Sequence, residues 1–272
     1  MPRTLNKETR LCMSLSGRPG NFGTRFHNSL YEQLGLDYVY KAFTTTDLPA
    51  AIGGIRALGI RGCAVSMPFK EACIPHLDEL DASAAVIQSV NTLVNDEGHL
   101  KGYNTDYLAV ASLLRSHGVD PQSDFALRGS GGMGKAVAFA LRDSGFTQGT
   151  LVARNEVRGS ALAATCGFAW QAEQGGLRPR LLVNVTPIGM DGGPEAGQLA
   201  FDEATIEAAE VIFDVVAIPV ETPLIRAARA LGKRVITGGE VIVLQAVEQF
   251  VLYTGIRPDA EQIAEAAAFA RS

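Results

Sequence analysis

Cysteine is scarce in this chain. Four residues in 272, Cys12, Cys63, Cys73 and Cys166, are too few for a disulfide framework and too widely spaced for a Cys-x-x-Cys metal or redox pair, so they read as buried thiols. Histidine is equally sparse: His27, His76, His99 and His117 form neither a His-x-x-x-His nor a His-Glu-x-x-His grouping, and no metal site is expected. No apolar run approaches the roughly 18 residues that span a bilayer, and the start Met1-Pro2-Arg3-Thr4-Leu5-Asn6-Lys7 lacks an apolar leader, which argues for a cytoplasmic protein without a membrane partner. Charge of one sign is also missing. A formal net charge of −5 with no block of five or six like charges gives no electrostatic footprint for nucleic acid and leaves a small molecule as the expected partner. The length of 272 residues suits two medium domains.

What the chain does have is alternation. Short apolar stretches alternate with longer amphipathic ones, the pattern of strands and helices in an α/β fold with a parallel sheet. Strands are expected near Leu11–Leu15, Tyr38–Phe43 and Gly62–Val65, and helices near Thr24–Leu34 and Asp47–Leu58, with Gly35 and Gly59 at helix C-caps. Ser89–Tyr103 reads as two short strands around Glu97-Gly98. A helix from Thr105 to about His117 is closed by Gly118, and Asp120-Pro121-Gln122-Ser123-Asp124 has the composition of a linker between domains.

Strand Phe125–Arg128, a glycine turn, helix Met133–Ser144, strand Thr150–Ala153, helix Val157–Thr165 and strand Leu181–Val185 then follow, the order of a mononucleotide-binding half. Further βα units are expected at Val211–Val215 with Pro223–Leu231 and at Arg234–Ile236 with Glu240–Tyr253, before a last helix Asp259–Ala270.

The turn Gly129-Ser130-Gly131-Gly132-Met133-Gly134 fits Gly-x-Gly-x-x-Gly between a strand and a helix, where backbone N–H groups at a helix N-terminus can face a pyrophosphate. The next strand ends in Ala153-Arg154-Asn155-Glu156-Val157-Arg158. An NAD site usually carries Asp or Glu at such a strand end for the ribose 2′-hydroxyl, whereas arginine suits a 2′-phosphate; Arg154, Asn155 and Arg158 therefore point to NADP. Asn184-Val185-Thr186-Pro187 ends another strand with a loop that Pro187 keeps from becoming helix, which makes Thr186 a cofactor neighbour. An arginine at the end of the first of these strands, Arg128, is unexpected. Lys70, behind Pro68 and ahead of Glu71, and Asp106, in the first turn of its helix, supply an amine and a carboxylate of the kind that moves a proton to or from an alcohol.

These segments, in this order, resemble the shikimate dehydrogenase family over essentially the whole length. Val65-Ser66-Met67-Pro68-Phe69-Lys70 is similar to the family's Val-Thr-Val-Pro-Phe-Lys, Val90-Asn91-Thr92-Leu93 to its Val-Asn-Thr-Leu, and Asn104-Thr105-Asp106 to its Asn-Thr-Asp. Gly129-Ser130-Gly131-Gly132 resembles the cofactor turn, Ala153-Arg154-Asn155 the Asn-Arg-Thr step, Asn184-Val185-Thr186 the Asn-Ala-Thr loop, and Val243-Leu244-Gln245-Ala246 the Val-Ala-Gln-Ala helix segment.

The resemblance implies an N-terminal substrate domain, residues 1–103 completed by helices in 239–272, and a Rossmann-like NADP domain, residues 104–238, with the site in the cleft between them. It implies that Lys70 is the catalytic acid or base beside Asp106, that Ser66, Asn91, Gln245 and Asn21 face a hydroxylated ring acid, and that Gly238 joins Gly129, Ser130, Gly131, Gly132 and Met133 at the cofactor. The activity implied is NADP-dependent interconversion of shikimate and 3-dehydroshikimate, a step of aromatic amino acid biosynthesis, by a monomer or homodimer.

Two departures stand against full identity with the pattern. Where the family binds the substrate carboxylate with Ser-x-Ser, aligning on His27 gives Asn21-Phe22-Gly23, and where it has a tyrosine after the strand leading to Asp214 this chain has Ala217. Ser14, Ser16 and Thr24 are near enough in sequence to offer substitute hydroxyls. The chain looks closest to the divergent shikimate dehydrogenase-like branch. Quinate or an aminoshikimate-like acid is the alternative substrate, and an NADP sensor on the same fold the alternative of another class.

Overall fold

Up to residue 103 the alternation folds as β1 (Arg10–Leu15), α1 (Phe22–Gln33), β2 (Tyr38–Phe43), α2 (Leu48–Ala57), β3 (Gly62–Val65), α3 (Phe69–Ala72), a 3₁₀ turn at Ile74–His76, β4 (Glu79–Leu80), α4 (Ala82–Ala85), β5 (Thr92–Asp96) and β6 (His99–Tyr103) in the computed structural model, which describes residues 5–272. Then come α5 (Thr105–Ser116), β7 (Phe125–Arg128), α6 (Gly132–Asp143), β8 (Gly149–Val152), α7 (Glu156–Cys166), β9 (Ala169–Gln171) and β10 (Leu181–Asn184). After these follow α8 (Glu203–Ala208), β11 (Val211–Asp214), α9 (Pro223–Ala230), β12 (Arg234–Thr237), α10 (Gly238–Thr254) and α11 (Ala260–Arg271). The start read as lacking a leader includes residues 1–4, which lie outside the described residues.

Local chemistry sets many of these boundaries. Asp47 caps α2 by accepting from Ala50 N, with Pro49 in the first turn, where no N–H is needed. Asp259 and Gln262 form a reciprocal capping box at α11. The hairpin β5–β6 turns at Glu97 and Gly98, both at positive φ (53° and 92°).

The chain divides into two units. Unit 1 takes in the chain up to Thr105 together with Val243–Ser272, and unit 2 is Asp106–Ile242. In unit 1 the strand order is β2-β1-β3-β5-β6-β4, and β5 runs antiparallel to both its neighbours while the other pairs are parallel. Strand periodicity sorts the side chains of β1: Cys12 joins a core with Phe26, Leu30, Tyr31, Phe250 and Tyr253, whereas Met13 and Leu15 join Ile52, Ile55 and Leu93 on the other face.

In unit 2 every neighbouring pair in β12-β11-β10-β7-β8-β9 is parallel. Numbered from β7, that is the order 3-2-1-4-5-6 of a dinucleotide-binding sheet, with its switch point between β7 and β10. One face packs Ala126, Leu182 and Ile212 against Ile206 and Leu224.

Two expectations need correction. Asp120–Asp124 is not a linker: it lies inside unit 2 as a turn in which Ser123 N donates to Asp120 O (2.9 Å), and Asp124 O accepts from Leu181 N (3.1 Å). Its turn-forming residues serve a tight connection into β7, while the change of unit falls between Thr105 and Asp106. The pieces β4, α4, β9 and α8 were not anticipated, because stretches of two to six residues are too short to show periodicity. Among the described residues no helix is long and apolar enough to cross a membrane, and no three His, Cys, Asp or Glu side chains converge as metal ligands.

Candidate active site and cofactor turn

In unit 1 the polar residues picked out in the sequence meet on a hydrogen-bonded lattice. Asn91, 2 % exposed, stands just before β5. Its Oδ1 accepts from Thr105 N (2.8 Å) and Thr92 Oγ1 (2.8 Å), and its Nδ2 donates to Thr105 Oγ1 (3.0 Å) and Gln245 Oε1 (3.4 Å). Gln249, one helical turn beyond Gln245, offers its Nε2 to Asn91 O (3.3 Å), Thr92 Oγ1 (3.1 Å) and Gln245 Oε1 (3.2 Å). Buried amides are tolerated because they satisfy one another, and the resulting network fixes their rotamers. The sequence reading named Asn91 and Gln245 but missed Thr105 and Gln249. The i, i+4 spacing from Gln245 was the available signal for Gln249.

The Lys70 segment is laced to the same lattice through the backbone. Val65 N donates to Asn91 O (2.7 Å), and Val90 N to Lys70 O (2.8 Å). Ser66 turns β3 into α3: its N donates to Leu15 O (3.0 Å) and its carbonyl accepts from Phe69 N (2.9 Å). Asn104 is held by Ser83 and Ser89, through Asn104 N to Ser83 Oγ (3.1 Å) and Nδ2 to Ser89 O (2.8 Å). Asp106 follows Thr105 in the chain and is a buried acid in the first turn of α5.

Asn21 is the exposed N-cap of α1 and makes no side-chain cap bond, and a Cβ at Gly23 would stand 3.4 Å from Tyr40 Oη, an ordinary contact. Ser16 is buried and Ser14 half-buried, so neither is an exposed hydroxyl.

His27, the landmark of that segment, is fully buried and stacked on Tyr40 at 4.5 Å between centroids. Neither ring nitrogen has a hydrogen-bond partner. Burial pushes its pKa down to about 3; Gln249 lies near enough to oppose this, but its amide N–H groups go to Asn91, Thr92 and Gln245.

In unit 2 three of the four glycines of the turn, those at the Gly-x-Gly-x-x-Gly positions, do three different things. Gly129 sits at φ +117°, and a Cβ there would come within 2.8 Å of Val185 Cγ2. Gly131 is exposed and a Cβ would meet nothing within 4 Å, which leaves open space above the turn. Gly134 lies so close under the turn that a Cβ would be 2.7 Å from Gly129 O. That is the division of labour a dinucleotide requires: a tight turn, unhindered approach to the backbone, and close packing of helix on strand. Gly131 caps α6 without a side-chain acceptor, so the first N–H groups of α6 are presented past Ser130, Gly132 and Met133.

Arg154 and Arg158 are both exposed beyond the end of β8. Asn155 is the N-cap of α7, its Oδ1 accepting from Arg158 N (3.0 Å). It thus holds the arginine-bearing helix start in place. Thr186 Oγ1 donates to Asn184 Oδ1 (2.6 Å), and Asn184 Nδ2 reaches Asp214 Oδ1 (3.0 Å). Asp214 also accepts from Val216 N (3.1 Å) and Thr222 Oγ1 (2.7 Å), yet burial raises its pKa to about 6. This Asn184–Asp214–Thr222 cluster, which the sequence reading did not find, pins the loops at the carboxyl ends of β10 and β11. Gly238 is explained by packing: a Cβ would stand 2.3 Å from the Val216 carbonyl.

Comparison with known proteins agrees with both halves. The shikimate dehydrogenase substrate binding domain matches residues 22–93. A shikimate dehydrogenase-like protein of Haemophilus influenzae is 58 % identical, covering 98 % of this chain and 99 % of its own length. A shikimate dehydrogenase (NADP(+)) of Moorella thermoacetica is 36 % identical, covering 84 % of this chain and 82 % of its own. Among solved structures, shikimate 5-dehydrogenase from Thermus thermophilus in complex with NADP(H) and shikimate superposes with a TM-score of 0.86 at 31 % identity, over 96 % of this chain and 99 % of that one. The chain belongs to the shikimate dehydrogenase family.

Proposed function

We propose that this protein is a cytoplasmic NADP-dependent dehydrogenase that interconverts a secondary ring alcohol and its ketone on a hydroxylated ring acid, with shikimate and 3-dehydroshikimate as the reference pair. The observation that carries this reading is the glycine turn of unit 2, where an open Gly131 lies between a left-handed Gly129 and a closely packed Gly134 at the switch point of a 3-2-1-4-5-6 sheet. These residues fit NADP, which when bound accepts hydride from the carbinol carbon. The backbone of residues 129–134 would hold its pyrophosphate, Arg154 and Arg158 its 2′-phosphate, and Thr186 would stand at the carboxyl end of β10.

In the oxidation direction Lys70 takes the hydroxyl proton from the substrate and returns it in the reverse direction, and Asp106 orients the Lys70 amine for that transfer. Gln245 and Ser66 face ring hydroxyls. Asn91 acts mainly by organising: its amide is engaged by Thr92, Thr105 and Gln245, so it sets where those groups stand.

A steady-state survey of shikimate and quinate against NADP and NAD tests the reading. Turnover of at least one ring acid with NADP is expected, and the better acid names the substrate. Tight NADP binding with no turnover on any hydroxylated ring acid would instead make the protein a nucleotide sensor.

A further inference from the structure

Arg128 has no place in the reaction described above. It is the last residue of β7, immediately before Gly129, where a dinucleotide-binding strand is ordinarily apolar because its side chain faces the core. By strand periodicity it shares the face of Ala126, which packs with Phe201, and its guanidinium carbon lies 5.5 Å from the Phe201 ring centroid.

Its Nε is buried with no hydrogen-bond partner, and among the described residues Arg128 forms no ion pair. A buried guanidinium N–H without an acceptor is costly, and native structures rarely leave one so without a reason.

The charges around Arg128 sharpen the question. Its register partner on β8 is Val152, so Arg154 stands two residues past the neighbouring strand's matching position, and the two guanidinium groups repel. Burial first, and Arg154 second, hold the Arg128 guanidinium below its ordinary pKa. The opposing carboxylates do not close the site. Asp202 is taken by Thr205 N (2.7 Å) and by Gln174 Nε2, and Glu195 attracts from beyond ion-pair distance. Arginine is the side chain suited to a phosphate, through a planar fork of N–H donors, and two guanidinium groups that repel each other are stabilised by a dianion that both can donate to.

We infer that Arg128 is a second arginine of the adenosine-side phosphate site, closing with Arg154 on a 2′-phosphate monoester and thereby setting the preference for NADP over NAD. The inference rests on the cofactor reading proposed above. It adds a specificity residue from inside the β7 strand, before the glycine turn, to the expected pair beyond β8.

Binding without turnover tests it. Trp170, the single tryptophan, donates its Nε1 to Ala153 O at 3.1 Å, next to Arg154, and so reports on this site by fluorescence. The whole protein is titrated with adenosine 2′,5′-bisphosphate and with adenosine 5′-monophosphate. The unaltered protein is expected to prefer the bisphosphate, and Arg128→Met to lose that preference by roughly tenfold or more while binding the monophosphate as before. Arg128→Lys keeps the charge without the fork and should lose part of the preference, which decides the matter if the methionine variant does not fold.

An unchanged preference in Arg128→Met, an equal loss for both nucleotides, or full retention in Arg128→Lys overturns the assignment. A different result separates the two readings: if the unaltered protein binds neither nucleotide, the cofactor reading itself fails. If it binds and discriminates but the variants do not respond, only the role of Arg128 fails.

Discussion

The two units build their sites from different materials. Unit 1 uses side chains: Asn91, Thr92, Thr105, Gln245 and Gln249 hold one another through amide and hydroxyl bonds around the segment that carries Lys70. Unit 2 uses backbone, with glycines that either reach left-handed φ or leave room, and side-chain hydrogen bonds at Asn184, Asp214 and Thr222 pin its loops. The same contrast holds for their buried titratable groups. His27 is kept neutral by burial among aromatic rings with no bond to its nitrogens, whereas Asp214 accepts three hydrogen bonds and still has its pKa raised by burial. A side-chain site is specific and can be lost by a single substitution. A backbone site tolerates most substitutions and fails at its glycines.

The sharpest break comes from removing the proposed proton acceptor in unit 1 while leaving unit 2 untouched. Lys70→Met should lower turnover by about 10² to 10⁴ because the proton acceptor is gone, with NADP binding and folding retained. Near-native turnover on the best substrate, in this variant and in Asp106→Asn alike, would remove both residues from the reaction.

Acid should separate the two buried groups next. His27 has a folded pKa near 3 against an ordinary 6.5, so the unfolded chain binds the extra proton and stability falls as pH drops below about 6.5. Over pH 6.5 to 4 the loss is roughly 3 kcal/mol at about 1.4 kcal/mol per pKa unit. Asp214 runs the other way. With a folded pKa near 6 against an ordinary 3.8, the folded state holds the proton more tightly, and stability is gained as pH falls from 6 toward 3.8. The two contributions oppose each other in the overlap, so Asp214→Asn should make acid destabilisation steeper. Urea midpoints between pH 7 and 4 measure it, and parallel pH curves for variant and parent would show that Asp214 is not the compensating group.

A smaller effect sharpens the cofactor side of the contrast. Arg154→Ala should weaken NADP about tenfold and leave NAD little changed, since a charged hydrogen bond to phosphate contributes roughly 1.5–3 kcal/mol. Equal losses for both cofactors in a titration would mean that Arg154 supports the loop and does not read the phosphate.

The smallest effect expected is a gain. Asn21→Ser with Gly23→Ser and Ala217→Tyr should raise kcat/KM for shikimate severalfold by returning hydroxyls to a carboxylate pocket. A Cβ at Gly23 would meet Tyr40 Oη at 3.4 Å, an ordinary contact. No gain in a folded triple variant, or efficient shikimate turnover before the change, would show that the departures are already compensated.

The sequence by itself determined the α/β class, most strand and helix positions, the glycine turn and the order of the polar segments. Each of these is written in short-range patterns: period 2, period 3.6, caps such as Asp259 with Gln262, and Gly129-Ser130-Gly131-Gly132 between strand and helix. Composition alone placed a linker at Asp120–Asp124, inside unit 2, because turn chemistry looks the same in a linker and at the foot of a strand. Only the tertiary structure decided that Asn91 spends its amide on Thr92, Thr105 and Gln245, that Asp214 belongs to a buried cluster, and that Gly238 packs closely on the Val216 carbonyl. It also decided that Arg128 ends β7 with a buried, unpartnered Nε. These facts join residues far apart in the chain. Burial and hydrogen-bond saturation are properties of what surrounds an atom, and no local window of sequence contains them.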